Sequence, residues 1–121
     1  MEDCIFCMKE DVVLENDLGW VKYDRFPVSP GHLLIISKRH FADFFSATIE
    51  ERWALNELLD AAKEYLDKNY HPDGYNIGIN CGEFAGQSIL HLHIHLIPRY
   101  SGDIEVPKGG VRGVIPDKRL Y

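Results

Sequence analysis

Apolar and polar residues along this 121-residue chain fall into two periodicities. In the run Ser88–Arg99, "SILHLHIHLIPR", the two kinds alternate strictly from His91 to Leu96. Period two is the signature of a strand, so the histidines share one face while Leu92, Ile94 and Leu96 point to a core. From Thr48 onward Leu55, Leu58, Leu59, Ala62 and Leu66 recur at helical spacing, with Glu57, Asp60, Lys63, Glu64, Asp67 and Lys68 opposite. Thr48-Ile49-Glu50-Glu51 has capping-box form, with Phe45 ahead of it to pack on the first turn. The helix ends at "HPDG". "VVLEND" and "GWVKYDR" read as two short strands joined at Asn16–Gly19, and "YNIGIN" as another. "HLLIISK" is almost continuously apolar, as expected for a strand covered on both faces. Several strands, one main helix, two strands and a tail make an α+β antiparallel plan. The tail from Tyr100 holds four glycines and two prolines in 22 residues and is expected to be mostly irregular.

Composition narrows the class. An apolar share of 45% and a charged share of 26% suit an ordinary globular protein, and the length suits one domain. We expect a single domain over 1–121, with a core over 1–103 and an irregular tail over 104–121. The net charge of −6 speaks against nucleic acid or an anionic membrane as the main partner, while small phosphorylated ligands remain compatible with a locally positive site. No apolar run approaches the roughly 18–20 residues of a membrane span. The start "MEDCIFCMKEDVV" has no basic region followed by an apolar one, so a signal peptide is not expected and the cytoplasm is the default location. Of three cysteines, Cys4 and Cys7 form a CxxC, which in a reducing compartment favours metal or redox chemistry over a disulfide.

The three aligned histidines would stand about 6.7 Å apart, the outer two about 13 Å. Zinc–nitrogen bonds are only about 2.0–2.1 Å, so one ion cannot span the row and its members must divide their labour. Two arrangements suit the N-terminal pair. Cys4 and Cys7 could close a four-ligand site with His40 and His91, or form a buried reduced pair with His40 on the surface. His71, beside Pro72 in a turn, reads as an exposed bystander. Imidazole is a good nucleophile toward phosphorus, and the P–N bond it forms is labile. In the preceding "NCGEFAGQS", Asn80, Gln87, Ser88 and loop amides are donors suited to a phosphate.

These residues resemble the histidine triad (HIT) family of nucleotide hydrolases and transferases. "HLHIHLI" fits the family signature of three histidines alternating with apolar residues, "AGQS" stands before it, and "YDRFPVSPGHLLIISKRH" resembles its strand-turn-strand. "CIFC" is similar to the N-terminus of a zinc-containing bacterial branch, and the resemblance runs from Cys4 to about Asp103. "PKGGVRGVIPDKRLY" resembles bacterial diadenosine polyphosphate hydrolases. The resemblance implies a five-stranded antiparallel sheet with one long helix and a short second helical segment, in a homodimer. It also implies attack by His93 on the α-phosphorus of a purine nucleotide derivative, giving a nucleotidyl-histidine. His95 would contact the phosphate and His32 would lie beside the triad. Asn80, Gln87 and Ser88 would bind the phosphate and leaving-group side, Asp24 the ribose, and Ile5, Phe6 and Leu34 the purine. Structural zinc would sit on Cys4, Cys7, His40 and His91. The pattern departs at Arg25 and Phe26, where relatives carry smaller or apolar residues. Cys81, in the loop after Asn80, reads as a small half-buried residue.

The leading expectation is thus hydrolysis at the α-phosphate of a dinucleoside polyphosphate or nucleoside phosphoramidate. The alternatives are a phosphorolytic nucleotidyltransferase and a nucleotide-binding protein with little turnover.

Overall fold

The computed structural model describes residues 4–121. Five strands, β1 (Leu14–Glu15), β2 (Gly19–Tyr23), β3 (Leu33–Ser37), β4 (Gly74–Gly78) and β5 (His93–Arg99), form one antiparallel sheet in the order β1-β2-β3-β5-β4. Helix α1 (Ile49–Asn69) covers one face. The fold is α+β, as the patterning predicts.

The apolar set of β5 faces the helix. Leu92, Ile94 and Leu96 pack with Val21, Leu33 and Ile35 against Leu55, Leu58, Ala62 and Leu66 of α1. Gly19 lets the helix approach this closely, because a Cβ there would lie 2.8 Å from Leu55 and 2.9 Å from Leu58. The opposite face carries a smaller cluster of Phe6, Trp20, Leu34 and Ile36. All five residues of β3 are buried, which accounts for its continuous apolar run.

The start of α1 is a full capping box: Thr48 Oγ1 accepts from Glu51 N at 3.1 Å and Glu51 Oε1 accepts from Thr48 N at 2.9 Å. Arg39 donates to both oxygens of the buried Glu51, at 3.0 and 2.8 Å, tying the helix start to the chain just after β3. The guanidinium holds the Glu51 carboxyl below its usual range.

Several expectations need correction. Phe45 is 74% exposed and does not pack on the helix; its neighbour Phe44 lies on the core edge beneath Arg52. The first strand shrinks to two residues, Leu14 and Glu15, which pair with Val21 and Trp20; Val13 ahead of them adds one N–H bond to the Val21 carbonyl at 2.7 Å. The histidine strand begins at His93, not Ser88. The expected short second helical segment is present as single 3-10 turns, at Phe44–Ser46 and Glu83–Ala85. The tail carries two more, Gly110–Val114 and Pro116–Lys118, clipped where Arg112 and Arg119 donate to tail carbonyls. No helix among the described residues is long and apolar enough to cross a membrane.

Candidate functional site

The register sets the histidines out along the face away from α1. His93 pairs with Ile36 and His95 with Leu34, while His91 precedes the strand. Their labour is divided, as the 13 Å span requires.

His91 joins the N-terminal cysteines. Its Nδ1 lies 3.3 Å from Cys4 Sγ, 3.5 Å from Cys7 Sγ and 3.1 Å from His40 Nδ1; His40 Nδ1 is 3.2 Å from Cys7 Sγ. All four ligand atoms fall within 4.8 Å of one another. The Nε2 of His91 stands 2.7 Å from the Ser37 carbonyl. A carbonyl only accepts, so Nε2 carries the hydrogen and Nδ1 offers its lone pair to the cluster. Two thiols and two imidazoles converging this way, one ring fixed by a backbone carbonyl, are a donor set of the kind that suits a metal ion.

His93 and His95 take different partners. His93 Nδ1 stands 2.8 Å from the His91 carbonyl, so it carries the hydrogen and Nε2 is left with a free lone pair. For His32 the polarity is reversed: the Val28 N–H donates to its Nδ1 at 3.2 Å, which puts the hydrogen on Nε2. That Nε2 lies 3.0 Å from His95 Nδ1 and 3.4 Å from Asp24 Oδ2. His95 Nδ1 therefore accepts and its own hydrogen sits on Nε2. Asp24, His32 and His95 also bring three ligand-type atoms within 4.8 Å, but a protonated His32 Nε2 has no lone pair for a cation. The single His32 Nε2–H faces both acceptors, with His95 Nδ1 the nearer.

Burial favours the neutral rings of His95 and His32. His95 is lowered from 6.5 to about 4, first by desolvation, then by the charges of His93 and His32 against the pull of Asp24. His32 is lowered by desolvation against the same carboxylate. Phe6, between the two cysteines, packs edge-on against the His93 ring with centroids 4.9 Å apart.

A cleft of about 360 Å³ opens over this face. It brings together Ile5, Phe6, Asp24, His32, Leu34, Asn80, Ser88, His93 and His95, all singled out in the sequence. Gln87 is not among its lining residues. That side chain is buried, its Oε1 accepting from Gly82 N and its Nε2 donating to the Ala42 and Ile89 carbonyls, so its amide is spent on shaping the loop. His71 is exposed and stands apart, and Cys81 is half-buried. A larger hollow, about 640 Å³, lies against Asn16 and Trp53, where no nucleophile and donor meet. Sequence reasoning missed Val28, whose contribution is a backbone N–H that no side-chain motif reports. It also missed Lys22, Gly86 and Ile89, which line the cleft.

The family model of the HIT domain matches residues 7–102. The chain belongs to the HIT family. An uncharacterized HIT-like protein of Methanocaldococcus jannaschii is 36% identical over 126 residues, 97% of this chain and 95% of that protein. The AP-4-A phosphorylase of Mycobacterium tuberculosis is 32% identical over 93 residues, covering 76% of this chain and 48% of the phosphorylase. Among solved structures, a Zn-bound histidine triad family protein from Mycobacterium smegmatis superposes with a TM-score of 0.77 at 28% identity, covering 84% of this chain and 78% of that one. Apart from Cys4, both histidine clusters lie within the matched residues, and it is within that family that their chemistry is read.

Proposed function

We propose that this HIT protein hydrolyses purine nucleotide derivatives at the α-phosphate through a nucleotidyl-histidine on His93. One observation carries the reading: the His91 carbonyl holds His93 Nδ1–H at 2.8 Å, leaving the Nε2 lone pair free at the cleft. In the first step the Nε2–P bond forms and the bond from phosphorus to the leaving group breaks. A leaving phosphate departs as an anion and needs no proton. His95 Nε2–H donates a hydrogen bond to the phosphoryl oxygens, joined by Ser88 and Asn80. The retained Nδ1–H makes the intermediate a phosphorylated imidazolium, whose P–N bond is labile. Water then attacks phosphorus, the P–N bond breaks, and His93 is restored with a proton released. Asp24 takes the ribose hydroxyls, while Ile5, Phe6 and Leu34 hold the purine.

Cys4, Cys7, His40 and His91 would hold zinc in this reading. Four protein ligands leave no open position, so the ion supplies structural strength alone. The free edge of β4, with Ile77 half-exposed and Trp53 exposed on the adjoining helix, supports a homodimer built by joining sheets. Three free thiols suit the cytoplasm.

The likeness to AP-4-A phosphorylase favours a second reading, in which phosphate instead of water resolves the intermediate. Turnover of a dinucleoside polyphosphate with and without inorganic phosphate separates the two. We expect full turnover without phosphate and a nucleoside monophosphate as product. Dependence on phosphate, with a nucleoside diphosphate formed, would establish phosphorolysis.

A further inference from the structure

The cleft has two ends, and only one is occupied by the chemistry above. Its floor crosses the sheet from β4 and β5, where Asn80, His93 and His95 gather, to β3 and then β2. In the register Lys22 lies directly opposite Leu34, and Leu34 opposite His95. Directly paired residues project on the same face, so Lys22, Leu34 and His95 form one rung. Adjacent strands are about 4.8 Å apart, which sets Lys22 roughly 10 Å across the sheet from His95. A phosphate over His93 and His95 and a ribose at Asp24 place the base over Leu34 with its far edge toward Lys22. Lys22 is half-buried and makes no ion pair among the described residues; Arg25, on the same wall, makes none either.

Resting on the nucleotide reading, we propose that Lys22, assisted by Arg25, reads the purine edge and selects a 6-oxopurine over a 6-aminopurine. Ammonium and guanidinium groups are donors with no acceptor. Guanine offers them two acceptors, O6 and N7; adenine offers N7 beside an amino donor that meets a cation unfavourably. Ile5, Phe6, Phe26, Val28 and Leu34 beside them are apolar, and the one carboxylate nearby, Asp24, is given to the ribose in this reading.

Calorimetric titration with GMP, IMP and AMP tests it, since IMP shares O6 with GMP but lacks the 2-amino group. GMP and IMP are expected to bind about tenfold more tightly than AMP, toward the lower end of the discrimination known for such donor pairs. Lys22→Met should bring the three within about twofold, and Lys22→Glu, an acceptor, should turn the order toward AMP. Equal affinities in the parent, or a ratio unchanged in correctly folded Lys22→Met, would overturn the inference while leaving nucleotide binding intact. So would a Lys22→Met loss confined to GDP and GTP, which would move the lysine to the phosphate chain. If none of the three mononucleotides binds the parent, the nucleotide reading falls with it.

Discussion

His91, His93 and His95 are the same side chain, and the atom each ring is given as a partner makes them different. A Ser37 carbonyl turns the Nδ1 lone pair of His91 toward two thiols, while the His91 carbonyl frees Nε2 of His93. The Val28 N–H, through His32, leaves the hydrogen of His95 on Nε2. The cost of that last arrangement is visible in pH. His95 is lowered from 6.5 to about 4, so between those values the unfolded chain takes up a proton that the folded chain refuses. Its neutral ring therefore favours the fold above about pH 6.5, and that contribution is lost as pH falls toward 4. Thermal melts across this window are expected to show the parent losing stability more steeply than His95→Gln, which has no ring to protonate. Equal slopes would contradict the neutral, desolvated His95.

At the scale of elements, three pieces far apart in sequence meet at the cysteine cluster: the N-terminal loop, the chain after β3, and the entrance to β5. Arg39, beside His40, is clamped to Glu51 at the helix start, so the cluster is braced from α1 as well. We expect about one zinc per chain by elemental analysis, and a lower melting temperature after chelation, because metal binding to a site absent from the unfolded chain is folding free energy. A metal-free protein with an unchanged melting temperature would contradict the assignment. Much of this was legible in the sequence. Period-two alternation in Leu92, Ile94 and Leu96 and the capping box at Thr48 are local signals that tertiary packing reinforces. Less legible was whatever depends on a partner strand. Val12 and Val13 have a strand-like pattern, yet the strand proper is Leu14 and Glu15, with Val13 adding a single bond to the Val21 carbonyl. Gln87 looked like a ligand donor, and only the folded loop shows its amide spent on backbone groups. Lys22 became meaningful once the β2–β3 register set it beside Leu34.

Across the whole molecule, one sheet serves two purposes. Its inner face packs on α1, and its outer face runs from the Cys4, Cys7, His40 and His91 cluster, past His93, to Lys22 and Arg25. Phe6 joins the first two by packing on His93 from within the Cys4–Cys7 loop, so stability and chemistry share a wall. A chemical quench tests most directly whether His93 bonds to phosphorus. Protein mixed with a nucleotide derivative labelled at the α-phosphate, quenched in alkali where P–N bonds survive, should carry the label on His93 by peptide mapping. The label should be lost on brief acid treatment. His93→Asn should retain binding but carry no label and fall below about a hundredth of the parent rate, beyond the lower reach of acid–base catalysis alone. Label on another residue, or turnover by His93→Asn above that level, would contradict the account.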